Sequence, residues 1–442
     1  MSYTNEYASK SSHSNIIMDS FVRKDLKKYE LPKKAGEIPI EDKITFKLPK
    51  IDHNPIQHIV AVDGGYTEIS VKKEFPSSTL SFFQFGLLSF SIADLNNLEE
   101  KPFISPNDMR KLKEINRLKF TLPTKNIKLK GNETLTNSVR NTLFDFFRQM
   151  PEKNDNFIET LNWFIFREYN EEYSKSTYTL SNCPHCPEKD IDLNKNQMTN
   201  YSFKCPNPKC GKEIFLTDVF RLHEAIDDEI GAGGILGYLT TTLEQMFLIH
   251  LIRIILRENP TLLNKILFIK DGPLAFFGQT ANMYKPMRDL INYLFENHEL
   301  YMAGIEKSGP FPEHANEIAS ISTFLPNSVL LLSNDYIYKY ILPGKPNPNR
   351  PYGDTTYYGN KIIFKSKEEK IYVVTLPTKE NIFSPVKEDF RNIEVILNNL
   401  TKLKCDMYAN SLIPIALVNQ LVSLSDHPSS LILEKFAREQ VK

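Results

Sequence analysis

Two aspartates follow apolar runs. "HIVAVDGGY" sets Asp63 after Ile59-Val60-Ala61-Val62, and "ILFIKDGPLAFF" sets Asp271 after Ile266-Leu267-Phe268-Ile269 and Lys270. A strand tip beside apolar surroundings is a costly place for a carboxylate that has no cation. A third acid, Glu244, lies in "TTLEQMFLIHLIRIILREN". At 100° per residue it shares one stripe with Phe247, Leu248, Leu251 and Ile255, while His250, Arg253 and Arg257 fall opposite. At a helix's first turn such an acid would lean into water or the helix dipole. On an apolar stripe it needs a cation, a proton or a metal. Three carboxylates converging at strand ends suit hard cations, Mg²⁺ or Mn²⁺. Two such ions can activate water and stabilise the leaving oxygen in phosphodiester hydrolysis. Asp-Gly is also a common turn dipeptide, so the signal lies in the set of three acids.

The cysteines carry a second chemistry. "CPHC" (Cys183, Cys186) and "CPNPKC" (Cys205, Cys210) give Cys-x2-Cys, eighteen residues, then Cys-x4-Cys. Four thiolates on two tight knuckles complete the tetrahedron that Zn²⁺ prefers, and they leave no open coordination position. The expected role is therefore structural zinc. His185 lies between the first two ligands, and Cys405 stands apart.

The elements that must position these groups read as a mixed α/β core. "HIVAVDGGY", "TEISVKKEF" and "TLSFFQFGLLSFSI" predict three strands of an antiparallel meander. "NSVRNTLFDFFRQM" and "NDNFIETLNWFIFREY" predict helices capped by Thr136 or Asn137 and by Asn154 or Asp155. "LTDVFRLHEAID" has helical spacing, and helices and strands alternate beyond it, with a hairpin at "KIIFKSKEEKIYVVTLP". Residues Asn15 to Tyr29 can form one amphipathic helix within a Lys- and Ser-rich arm.

Composition bounds the class. The 442 residues are 41% hydrophobic and 24% charged, as in ordinary globular proteins, with Lys+Arg and Asp+Glu both 54. There is no global basic field, so a nucleic-acid contact must use a local patch. No apolar run is read as a membrane span, and the polar N-terminus is no signal peptide, so the expected setting is the cytoplasm, with no membrane partner. The Gly-x4-Gly-Lys-Ser/Thr motif is absent, so any translocation must come from a partner.

Taken in order, "VAVDGGY", the buried-helix Glu, "FIKDGPLAF" and "GIEKSGPFPEHA" resemble the NurA nucleases of prokaryotes from about residue 55 to the C-terminus. The cysteine segment interrupts the resemblance and is not part of the family pattern. The resemblance implies a ribonuclease-H-like α/β fold, a mixed sheet with flanking helices, here with an inserted four-cysteine zinc ribbon. The implied parts are an N-terminal arm (1–50, flexible or partner-binding), a first nuclease segment (51–177), the ribbon (178–216) and a second nuclease segment (217–442). It implies a Mn²⁺- or Mg²⁺-dependent, two-ion deoxyribonuclease cutting from 5′ ends and within single strands. It also implies a homodimer working on DNA with a HerA-like ring ATPase, in end processing or antiphage defence.

Carried over residue by residue, the metal acids are Asp63, Glu244 and Asp271, with Glu224 of "FRLHEAID" as a rival to Glu244. Lys307 of "IEKSG" matches the basic residue that holds the scissile phosphate; His314 and Asp335 are additional candidates. The family's C-terminal Tyr-Pro and His fall on Ile413 and Leu421, with Tyr408 and His427 nearby but out of register. That departure supports a competing expectation, a catalytically weakened nuclease-fold adaptor that binds DNA or the ATPase.

Overall fold

The computed structural model describes residues 10–29, 37–38, 44–92, 114–151, 155–405, 412–424 and 429–441. Among these residues nine strands form one mixed sheet in the order β1-β11-β12-β13-β10-β9-β2-β3-β4. The first four are β1 (Thr45–Lys47), β2 (His58–Lys72), β3 (Ser78–Ser91) and β4 (Glu114–Lys125). β5 (Thr177–Asn182) pairs with β6 (Lys189–Asn194), and β7 (Ser202–Lys204) with β8 (Glu213–Phe215), as two hairpins outside the large sheet. The sheet resumes with β9 (Ile266–Asp271), β10 (Tyr301–Glu306), β11 (Ser328–Leu331), β12 (Gly359–Lys365) and β13 (Ile371–Pro377). β2, β9 and β10 run parallel at its centre, and the strands on both sides are antiparallel.

Strand alternation sorts the core into two layers. Val60, Val62 and Phe268 pack with the helix Leu236–Glu258 on one face. Ile59, Ala61, Leu267 and Ile269 pack with the helices Ile393–Lys402 and Ile413–Val422 on the other. The four-cysteine segment is continuous with the first layer, because Leu180, Cys183, Ile191, Leu193, Phe203 and Cys205 belong to that cluster.

Several sequence expectations change. "DGGY" is no turn: β2 runs unbroken for 15 residues, paired along its length with β3. Pairing across the sheet overrides the local turn preference of Asp-Gly-Gly. The third meander strand is β4, which lies in the polar region that follows. Thr134 and Asn156 cap the two early helices, close to but not at the candidate positions, each through a side-chain oxygen. "LTDVFRLHEAID" forms two 3₁₀ turns, and Asn15–Tyr29 overlaps two short helices, Lys10–Met18 and Ser20–Leu26.

The helix Leu236–Glu258 has 23 residues and begins well before Glu244, so that acid is not in a first turn. It is buried on nearly all sides, His250 included, because Thr160 and Phe157 of a neighbouring helix receive that imidazole. Leu251, by contrast, is only half-buried. By length and composition the segment Gly233–Glu258 is apolar enough to cross a membrane, contrary to the sequence reading, and 72% of its apolar window is buried inside the fold.

Candidate acidic site at the end of the parallel strands

β2 and β9 pair from His58 opposite Ile266 to Val62 opposite Lys270, so Asp63 and Asp271 follow the last register pair. Asp63 lies within β2 and not at its tip; it is the pairing with β9 that ends there. The face it occupies is fixed by its neighbours. A Cβ on Gly64 would meet Phe85 and Thr240 of the Leu236–Glu258 layer, whereas one on Gly65 would meet Val422 of the opposite layer. Asp63 alternates with Gly64 and thus shares the Gly65 side, as does Gly86, its register partner on β3. Beyond β9, Gly272 at φ +82° turns the chain and donates its amide to the Ile305 carbonyl at 2.8 Å, which fixes Asp271.

Each acid has a different environment. Asp63 is 4% exposed; its Oδ1 accepts the Gly64 amide at 2.8 Å and its Oδ2 is buried with no hydrogen-bond partner. Burial first, then the charges of Asp271 and Glu244, push its pKa up to about 7 against the pull of Lys307. Glu244 is buried, with Oε1 accepting the same Gly64 amide at 3.1 Å and Oε2 lying 3.1 Å from the Lys270 ammonium. Burial raises its pKa against the pull of Lys270. Asp271 is part-exposed and accepts from Lys307 Nζ at 2.7 Å.

The structure therefore brings Asp63, Glu244, Asp271 and Lys307 to one place. The remaining candidates have other engagements. Glu224 forms a two-point pair with Arg221. His314 is buried against the Tyr336 hydroxyl at 3.0 Å. Asp335 is exposed in the first turn after β11. Leu421 lends only its carbonyl, to Gln84, while Tyr408 and His427 lie outside the described residues.

Two groups were not read from sequence as part of this site. Lys270 does point away from Asp271, as alternation requires, but that direction leads to Glu244. The Tyr358 hydroxyl is fully buried and unpartnered within the electrostatic reach of Glu244, on a segment whose sequence has no acid-site signature.

The cysteine cluster is geometrically tighter. The Sγ atoms of Cys183, Cys186, Cys205 and Cys210 all lie within 4.8 Å of one another, and among the described residues no other group of three or more Cys, His, Asp or Glu ligand atoms does so. Cys183 and Cys205 donate their amides to Glu188 and Lys212 carbonyls, and Gly211 at φ +55° closes the second knuckle. Burial holds the Cys205 thiol up at about 12, while the Lys212 amide lowers that of Cys210. Such a cluster can hold a metal ion, which binds the thiolate forms. Arg140 of the helix Leu135–Gln149, held by buried Asp218 at 2.7 Å, ties the segment to that helix by reaching His185 and the Glu213 carbonyl.

No family model matches this chain, and no curated protein matches it. Among solved structures it is similar to one described as "Crystal structure of NurA", at 11% identity and a TM-score of 0.28, covering 97% of this chain and 96% of that one. Likeness at this level speaks neither for shared chemistry nor for a shared partner.

Proposed function

We propose that this chain is a divalent-metal-dependent deoxyribonuclease. The observation that carries the reading is the Asp63 carboxylate, buried beside Asp271 and Glu244 with one oxygen unpartnered. A buried acid without a cation is expensive, and hard oxygen donors gathered where the β2–β9 pairing ends fit Mn²⁺ or Mg²⁺. Such an ion, when bound, supplies water activation and charge stabilisation in phosphodiester hydrolysis.

The chain's own residues do the rest. Gly64 orients both the Asp63 and Glu244 carboxylates through one amide. Lys307 stands 2.7 Å from Asp271 and is part-exposed, so it can transfer its ammonium from the carboxylate to an incoming phosphate as a point charge. The cysteine cluster carries structural Zn²⁺ in this reading, in a ribbon-like insertion. The motif order further supports cutting from 5′ ends and within single strands, as a cytoplasmic homodimer supplied with DNA by a HerA-like ring ATPase.

The engagement of Glu244 by Lys270 and of Asp271 by Lys307 favours a second reading, a nuclease-fold adaptor whose acids hold lysines instead of metal. The test incubates labelled linear and single-stranded DNA with the chain in Mn²⁺, with and without the ATPase, beside Asp63→Ala and Asp271→Ala. Metal-dependent cutting lost in both variants supports the nuclease. Equal cutting by all three proteins removes the catalytic assignment.

A further inference from the structure

The acids of this site divide between the two faces of the sheet, and their cations divide with them. Asp63 lies on the side of the helix Ile413–Val422, because Gly65 and Gly86 on that side face Val422 and Val418. Asp271 has the parity of Leu267 and Ile269, which belong to the same layer. Glu244 comes from the helix on the opposite face, where Phe268 and Lys270 point. Both of its oxygens are already engaged, by the Gly64 amide and by Lys270. Lys270 is only 2% exposed and is held again by the Asp271 carbonyl at 2.6 Å, so it is not a surface lysine resting there. The one carboxylate oxygen of the three acids that is buried without a bond is Asp63 Oδ2.

Resting on the metal-dependent reading above, we infer that Lys270 is the resident cation of this site, so that it takes a single divalent ion, held by Asp63 and Asp271, with Glu244 acting as an anchor and not as a ligand. Charge balance points the same way. Asp63 and Asp271 together neutralise one divalent ion, and Lys270 neutralises Glu244. A second divalent ion would leave the buried cluster with two excess positive charges, a heavy electrostatic penalty in low dielectric. Lys307, part-exposed, is then released from Asp271 for the substrate phosphate. Glu244, neutralised by Lys270, thus fastens its helix to Gly64 and stays outside the ion's ligand set.

Counting bound ions tests this. Mn²⁺ is titrated calorimetrically into the metal-depleted full chain, and bound Mn²⁺ is counted by electron paramagnetic resonance. The wild type should bind one Mn²⁺ that is lost in Asp63→Asn. A double variant, Glu244→Gln with Lys270→Met, removes both buried charges at once and so avoids stranding either. Checked for folding by circular dichroism, it should keep that ion within about threefold in Kd, a shift of under 1 kcal/mol. Two Asp63-dependent ions in the wild type, or loss of the ion in the folded double variant, would overturn the inference and leave the metal-dependent nuclease standing. No Asp63-dependent ion at all overturns both. The wild-type count decides the matter even if the double variant does not fold.

Discussion

The Gly64 amide reaches the Glu244 carboxylate at 3.1 Å, fastening a helix to the central strand at the residue beside Asp63. That approach leaves no room for a side chain: a Cβ on Gly64 would lie 2.5 Å from the Phe85 ring and 3.2 Å from Thr240 Cγ2. Gly64→Ala should therefore cost about 1–3 kcal/mol of stability, the range for overpacking, and should displace Asp63. Urea unfolding reads the first effect and Mn²⁺-dependent DNA cleavage the second; unchanged values in both would show that helix and strand part without consequence.

Lys307→Met should lower cleavage by about 10²-fold, the scale on which a single charge-stabilising donor acts. The Lys307–Asp271 pair is part-exposed, so the melting temperature should barely move. The comparison is kcat against KM at fixed Mn²⁺, with Lys307→Arg restoring part of the rate.

Arg140→Met should be among the most destabilising single changes outside the acidic site. It strands Asp218, which is 3% exposed, and removes the contacts with His185 and the Glu213 carbonyl that tie the helix to the cysteine segment. Breaking one side of a buried pair costs about 3–5 kcal/mol, measurable by denaturant titration. Asp218 would retain only the Phe215 amide from its present set of donors.

Loading the cysteine cluster with Zn²⁺ should raise the melting temperature of the whole chain in one cooperative transition. Cys183 and Cys205 belong to the same hydrophobic cluster as Phe268 and Leu248. Cys205→Ala, followed by metal analysis and calorimetry, checks this. A separate low-temperature transition with the main one unmoved would show the segment to be energetically detached.

Stability against pH should carry two opposing slopes in the metal-free chain. Burial depresses His250 from 6.5 to about 4, so its contribution is present above pH 6.5 and is lost as pH falls through about 4. Two and a half units at about 1.4 kcal/mol each put this at roughly 3 kcal/mol. Burial raises Asp63 from 3.8 to about 7, so its contribution is present below pH 3.8 and is lost as pH rises through about 7. Because His314 is depressed to about 4 as His250 is, the variants are compared with the wild type: between pH 4 and 6.5, His250→Gln should tilt the slope of stability against pH downward, and Asp63→Asn should tilt it upward. Chemical denaturation across that window distinguishes the two, and parallel curves for both variants would refute the assignment.

The sequence made the acids legible because each breaks a pattern: a carboxylate following an apolar run, or one lying on an apolar helix stripe. The cysteine spacing was legible for a similar local reason. Asp63's place inside β2 was not, since Asp-Gly-Gly is turn chemistry locally and only pairing with β3 keeps it extended. His250 read as surface because its face carries two arginines, and its burial comes from Thr160 and Phe157 on another helix. Alternation turns Lys270 away from Asp271, but nothing in a strand's own sequence says what waits on the other side. Glu244 waits there, and only tertiary packing brings it.

Strand alternation at the acids makes the chain unevenly tolerant of length changes. β9 contributes Lys270 to one face and Asp271 to the other, and β2 does the same with Gly64 and Asp63. One residue inserted or deleted within either strand would exchange those faces, setting a lysine where an acid belongs and a side chain where none fits. The hairpins between residues 177 and 215 stand outside the large sheet's register altogether. Drift in length among descendants of this chain should thus collect in the loops, including the stretch between the two cysteine knuckles, while β2 and β9 keep their residue count even where their side chains change.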